Sequence, residues 1–100
     1  MEIKDKNTVT VTLDEPIKRG DKLIKEIQLR RPKAGALRGL SLMNVANMEV
    51  STLIKLLPRI SEPALTEHDI NNMDPSDLTA LGVEVASFLP QKSMMADFQE

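Results

Sequence analysis

Few side chains in this sequence are of the types that carry out catalysis or bind transition metals. His68 is the single histidine among the 100 residues, and the sequence contains no cysteine. Nucleophilic catalysis requires a base beside a serine, threonine or cysteine, and a zinc-type site requires several histidine or cysteine ligands. His68 lies in the polar segment Thr66-Glu67-His68-Asp69, which is typical of an exposed turn. We therefore predict no catalytic residue, no metal ligand and no cofactor, and we expect that the protein is not an enzyme.

Two further patterns contain the residue types of a ligand site without the required spacing. Glu67, Asp69 and Asp74 carry oxygen ligands for a hard cation, although their spacing matches no calcium-binding loop. Helix capping is a sufficient role for both aspartates. Gly35 and Gly39 are spaced as in a GxxxG motif, but the segment is too short and too polar for a membrane helix. It also lacks the Gly-Lys-Ser/Thr ending of a phosphate loop.

Charge is distributed unevenly along the chain. Residues 1–50 contain ten Lys or Arg and seven Asp or Glu, whereas residues 51–100 contain three and eight. Eight of the basic residues lie within positions 18–38, which we call the basic cluster. We predict that three of them, Lys18, Arg19 and Lys22, contact a partner. The net charge of −2 and the absence of aromatic residues from this cluster disfavour nucleic acid. An acidic protein, or a second copy packed head to tail, is the predicted partner.

The elements that position these charges begin with a predicted β-hairpin. Residues 8–13 alternate threonine with an apolar residue, which predicts a half-buried strand. Leu23, Ile27 and Leu29 lie on one face of a second strand that ends before Pro32. The segment between the strands, residues 14–22, is rich in turn residues at both ends. We interpret it as a loop of up to nine residues.

No segment after Pro32 alternates with period two, so the rest of the chain is predicted to be helical. The expected helices cover residues 36–43, 48–60 and 75–89, with a short helical turn within 66–73. Pro58 predicts a kink or an end in the second helix, and residues 74–77 (Asp-Pro-Ser-Asp) are a strong helix start. The predicted fold is α+β: an N-terminal antiparallel β-hairpin followed by three to four α-helices. Residues 1–90 are expected to form one domain, and residues 91–100 a disordered tail.

The helical half contains more apolar positions than one core face needs. Val50, Leu53, Ile54 and Leu57 recur at spacings of three and four, so we predict that they face the core. Other apolar positions then lie off that face, and a domain of 100 residues has few layers with which to bury them. We predict an exposed apolar patch for self-association or partner binding, formed by Met43, Met48 and Leu56.

The sequence contains no apolar run near the roughly 20 residues that span a bilayer. The charged N-terminus, residues 1–6, lacks the apolar stretch of a signal peptide. We therefore expect a cytoplasmic location and no membrane partner.

Four segments, taken in order, resemble a known family. They are residues 11–17 (VTLDEPI), 27–40 (IQLRRPKAGALRGL), 73–78 (MDPSDL) and 88–89 (FL). Over residues 9–89 the sequence resembles the tail assembly chaperones of contractile-tailed phages and prophages of the Mu type. The resemblance implies binding to the tape-measure protein, which such proteins keep soluble until tube subunits polymerise around it. It also implies a location in the host cytoplasm, absence from the mature virion and no catalytic residues.

Two other functions remain open at the level of the sequence. A nucleic-acid-binding regulator would use the basic hairpin, and its binding to arbitrary DNA would weaken with salt. A structural subunit of the particle would be found in purified virions.

Overall fold

The computed structural model of the protein describes residues 8–89, which form a three-stranded antiparallel sheet packed against four α-helices. The strands lie in the spatial order β1-β2-β3 and comprise β1 (Thr8–Arg19), β2 (Lys22–Arg30) and β3 (Ser61–Glu62). The helices are α1 (Leu42–Ala46), α2 (Val50–Ile60), α3 (Glu67–Asn71) and α4 (Pro75–Ser87). The predicted α+β fold with an N-terminal hairpin is confirmed. The predicted tail at residues 91–100 lies outside the described residues.

The hairpin is longer than predicted, and its loop is shorter. β1 continues to Arg19, so the turn contains only Gly20 and Asp21. Gly20 has φ +63°, the left-handed conformation that two-residue hairpin turns require and that glycine adopts most readily. The interpretation of residues 14–22 as a loop was therefore wrong.

The residues that suggested a loop form a bulge within β1. Thr12 pairs with Glu26 and Ile17 pairs with Ile24, so four residues of β1 lie opposite one residue of β2. Residues 14–16 are Asp-Glu-Pro, and proline has no N–H with which to join the strand ladder. A composition typical of turns thus interrupts the pairing without ending the strand.

The sheet has one buried and one exposed face. Val11 and Leu13 of β1 and Ile27 and Leu29 of β2 are buried under the helices, as the alternation predicts. Leu23 was predicted on the same buried face, but it is 55% exposed. It lies in the end of the hairpin beyond the bulge, where its cross-strand partner Lys18 is also exposed.

The first predicted helix, residues 36–43, is not formed as such. Residues 34–37 form a single 3₁₀ turn, and Gly39 follows it in the left-handed conformation at φ +80°. α1 then starts after Ser41, whose hydroxyl accepts a hydrogen bond from the Asn44 amide at 3.2 Å. Arg59 of α2 holds the 3₁₀ turn in place, since its guanidinium donates to the carbonyls of Ala36 at 2.7 Å and Arg38 at 3.1 Å.

The buried face of α2 differs from the predicted one. The helix continues through Pro58 to Ile60. Val50, predicted to face the core, is the first residue of α2 and is 54% exposed. Leu56, predicted to lie off the core face, is fully buried. The observed stripe has the i, i+3, i+4, i+7 spacing of an amphipathic helix and consists of Leu53, Leu56, Leu57 and Ile60.

Close helix packing explains the glycine inside α4. A Cβ atom on Gly82 would lie 3.1 Å from the Leu53 Cδ1 and 3.3 Å from the Met48 Sδ. Glycine costs about 1 kcal/mol relative to alanine inside a helix. Here it allows α4 to pack closely against α2 and the α1–α2 junction, whereas a side chain at this position would push the helices apart.

Asp77 joins the two halves of the chain. It is 2% exposed, in the first turn of α4, and its carboxylate accepts hydrogen bonds from the Asp14 amide at 2.8 Å and the Glu15 amide at 2.9 Å. Asp74 is the residue that caps the helix, since its carboxylate accepts from the Ser76 amide at 2.9 Å. Asp77 therefore satisfies the backbone of the β1 bulge, which β2 does not pair.

We predict that Asp77→Asn lowers the free energy of unfolding by about 2–3 kcal/mol. A carboxamide has one acceptor oxygen, so one of the two bulge amides would face an NH2 group instead of an acceptor. Urea denaturation followed by circular dichroism measures the effect. Asp74→Asn is the matched control, because asparagine caps a helix as well as aspartate does, and its midpoint should fall much less than that of Asp77→Asn. Equal midpoints for the two variants would contradict the role assigned to Asp77.

Candidate functional site: an apolar surface at α1

The described residues expose several large apolar side chains, and three of them lie on α1 and at the start of α2. Met43 is 69% exposed, Leu42 60% and Val50 54%. We call these three residues the α1 surface. α1 is a single short turn of five residues, and Val45 is its one fully buried side chain. A helix this short cannot bury more than one side of itself, so Leu42 and Met43 remain in solvent.

The α1–α2 junction fixes the position of the α1 surface. Met48 lies in this junction with φ +58°, a left-handed conformation that costs a non-glycine residue on the order of 1 kcal/mol. It occupies the place after a helix end where this conformation is commonly found. Its side chain is half-buried against Gly82 of α4. The backbone of the junction is further held by the Glu49 amide, which donates to the Asn44 carbonyl at 3.0 Å.

The three apolar residues predicted to contact a partner are therefore not equivalent. Met43 is exposed and available for contact. Met48 is partly used in packing against α4. Leu56 is fully buried, so the prediction that it belongs to an exposed patch was wrong. The physical reason is the helical phase of α2: the apolar stripe that includes Leu53 also includes Leu56, and Val50 takes the exposed place instead.

The three basic residues predicted to contact a partner lie at the end of the hairpin. Lys18 and Lys22 are exposed, and no carboxylate of residues 8–89 lies within ion-pair distance of either. Arg19 forms an ion pair with Asp69 of α3, and its guanidinium also donates to the Ala64 carbonyl at 3.1 Å. The positive charge of Arg19 is therefore paired with Asp69 of the same chain. The hairpin end is joined to α3 in this way, whereas α1 packs against α2 and α4, so the predicted partner residues divide between two places.

Asp69 is the centre of a small polar network at this joint. Its carboxylate accepts from the Thr66 amide at 3.0 Å, and its own amide donates to the Thr66 hydroxyl at 3.0 Å, which is a capping box. Burial opposes ionisation of Asp69. The hydrogen bonds from Thr66 and from Arg19, together with the Arg19 charge, nevertheless hold the pKa of Asp69 below its ordinary value of 3.8.

His68 lies beside a cavity of about 430 Å³ between the β1 bulge and α3, with Pro16, Ile17 and Met73 also in its walls. The imidazole is exposed, and its ring nitrogens lie 3.4 and 3.5 Å from the Asn72 amide nitrogen. Among residues 8–89 no three His, Cys, Asp or Glu side chains are grouped so as to hold a metal ion. Across the same residues, no helix has the length and apolarity to cross a membrane.

The segments that carry the sequence resemblance meet in pairs in the structure. Residues 14–15 of the first segment hydrogen-bond to Asp77 in the third. Arg31 of the second lies with its guanidinium carbon 5.9 Å from the ring centre of Phe88 in the fourth, within cation–π range. These motifs therefore contribute contacts that pack distant parts of the chain together.

A small α+β domain with an exposed apolar surface is suited to contact with other proteins. The chain belongs to the family of phage tail assembly chaperone proteins E, 41 or 14, whose model matches residues 10–90. This family is not a known class of enzymes.

Two relatives show the same relationship. The chain is 48% identical over 84 residues to tail assembly protein E of Escherichia phage P2. The aligned residues make up 84% of this chain and 92% of that protein. It is 49% identical over 79 residues to tail assembly protein E′ of the same phage. Here the aligned residues make up 79% of this chain and 56% of that protein. The chain thus spans little more than half of the longer relative. No solved structure matches the chain significantly.

We predict that the protein loses stability as the pH falls through and below 3.8. The pKa values of Asp69 and of Asp74 are both held below that ordinary value in the folded chain, the latter by hydrogen bonds from the Ser76 side chain and amide. The unfolded state therefore takes up protons at a higher pH than the folded state, and acid favours unfolding. Urea midpoints measured from neutral pH down to about pH 2 test this.

Asp69→Asn should have a lower midpoint at neutral pH and a smaller further loss in acid, because it no longer gains a proton at this position. If this variant and the unaltered protein lose the same stability in acid, the network around Asp69 does not contribute to the pH dependence.

Proposed function

We propose that the protein binds the tape-measure protein through the α1 surface and keeps it soluble during tail assembly. In this proposal it acts in the cytoplasm of the host cell and is not part of the mature virion. The observation that carries the proposal is the exposure of Leu42, Met43 and Val50, in a member of a tail assembly chaperone family. The membership supports a role in assembly, and the surface supports a contact with an apolar client.

The chemistry of the α1 surface suits a helical client with an apolar stripe. Such a stripe aggregates in water unless it is covered, and an amphipathic helix binds an apolar surface through residues spaced by three and four. Methionine adapts its shape to different neighbours, so Met43 can accept a client whose contacts vary along its length. Burial of one Leu, Met or Val side chain stabilises a complex by about 1.5–3 kcal/mol before the cost of association. Three such side chains give a contact weak enough to be released when tube subunits assemble.

The basic end of the hairpin offers a second contact. Lys18 and Lys22 have no ion-pair partner among residues 8–89, so their charges can attract acidic groups of the client. Because both side chains are exposed, this attraction raises the rate of encounter more than the affinity, and salt weakens it.

We predict that Met43→Glu weakens binding to the tape-measure protein by about tenfold to a hundredfold. The substitution places a charge where an apolar side chain of the client would lie. The gene for the tape-measure protein is co-expressed with either form, and the soluble client retained by the tagged chaperone is measured. Asn71→Glu is the matched control, since it adds the same charge at an exposed position on α3. It should retain the client as well as the unaltered protein does.

Three results would contradict the proposal in different ways. Undiminished retention by a folded Met43→Glu variant would place the contact elsewhere. A gel shift with arbitrary DNA that disappears as salt rises would favour the nucleic-acid-binding alternative. Recovery of the protein from purified virions would favour the structural alternative.

A further inference from the structure

Within residues 8–89, no strand pairs with the outer edge of β1 over residues 8–13. The sheet order β1-β2-β3 places β1 at an edge, and β2 is its only strand partner within residues 8–89. No backbone group of residues 8–13 bonds to any other described backbone outside this ladder. α4 packs on the buried face of β1, through contacts with the core that includes Val11 and Leu13. The N–H and C=O groups that point away from β2 are thus not paired by the described backbone.

This edge lacks the usual protection of edge strands. Natural sheets blunt their edges with lysine, proline, bulges or very short strands. Residues 8–13 read Thr-Val-Thr-Val-Thr-Leu, without charge or proline and with five β-branched side chains. The protection begins at residues 14–16, where two charges and a proline coincide with the bulge. The other edge strand, β3, has only two residues and is followed by Pro63.

We propose that residues 8–12 pair in antiparallel fashion with the same residues of a second copy, with each Thr10 opposite the other, so that two sheets join into one of six strands. The two-fold axis of such a pair is perpendicular to the sheet and keeps each side chain on its own face. Threonines then lie opposite threonines, and apolar residues lie opposite apolar residues. Both kinds of cross-strand pair are favourable, and no like charges oppose each other. The alternation of this segment is therefore complementary to itself.

The sequence of the edge favours a second copy over an unrelated strand. It carries no charge with which to select a different partner. Its exposed face, with Thr10 and Thr12, is polar and would continue unbroken into the second copy. Pairing of five residues buries less area than a standard interface, so the dimer should be reversible and depend on concentration.

Sedimentation velocity from about 1 µM to about 1 mM tests the pairing on the full chain. The unaltered protein should change from monomer to dimer over this range. Thr10→Lys should raise the dissociation constant of the dimer at least tenfold, because the two lysines would lie close to each other across the pair. Gln28→Lys is the matched control: Gln28 is the exposed cross-strand partner of Thr10 on the central strand, and its substitution should leave the dimer intact.

Hydrogen exchange of the unaltered protein gives a measurement that does not depend on the stability of a variant. The amides of residues 8–12 should become more protected as concentration rises, and those of α1 should not. A protein that stays monomeric over the whole range overturns the proposal. So does a dimer without added protection at residues 8–12, or a folded Thr10→Lys variant that dimerises normally. None of these results bears on client binding by Met43, which lies on a different element.

Discussion

The contact between the Asp77 carboxylate and the β1 bulge determines how the rest of the chain is arranged. The two amides are 63 and 62 positions away from Asp77 in the sequence, so the contact joins the hairpin to the start of α4. A buried carboxylate loses several kcal/mol of hydration, and two amide donors offset this cost. The amides themselves need the carboxylate, because the bulge carries them away from β2. The start of α4 is thereby fixed on the sheet. Since Gly82 of α4 packs on Met48 and Leu53, the same contact determines where α1 lies.

Much of the fold could be predicted because its signals are local. Alternation of threonine with apolar residues defines the first strand, and the Asp-Pro-Ser-Asp sequence defines the start of α4 to the residue. The bulge could not be predicted, since Asp, Glu and Pro are equally typical of a loop and of an interrupted strand. The role of Asp77 was missed for a similar reason. An aspartate in the first turn of a helix is already explained by the helix dipole, and nothing nearby in sequence indicates two amides of β1 as its partners.

The candidate site could be predicted as a kind of surface, but not residue by residue. An excess of apolar positions in the helical half indicates that some are exposed, and Met43 is among them. Which others are exposed depends on the phase of α2: the observed buried stripe starts three residues later than the predicted one, so Val50 is exposed and Leu56 is buried. The basic cluster shows the same limit. Arg19, Lys18 and Lys22 are alike in sequence, but only Arg19 lies where Asp69 can pair with it.

A chaperone that exposes apolar side chains must not unfold in order to do so. Here two of the three exposed residues, Leu42 and Met43, lie on a helix of only five residues, which would not be stable alone. It is held by the Ser41 cap, by Val45 in the core and by the left-handed junction at Met48. Val45 and Met48 tie α1 to the core and to α4, so the α1 surface is exposed without loss of the packing beneath it. Because the surface is already ordered, binding of a client costs little conformational entropy in this chain. Because the surface is small, the affinity is modest and the client can dissociate. A stable core below a small apolar surface is thus compatible with the reversible client binding that we propose.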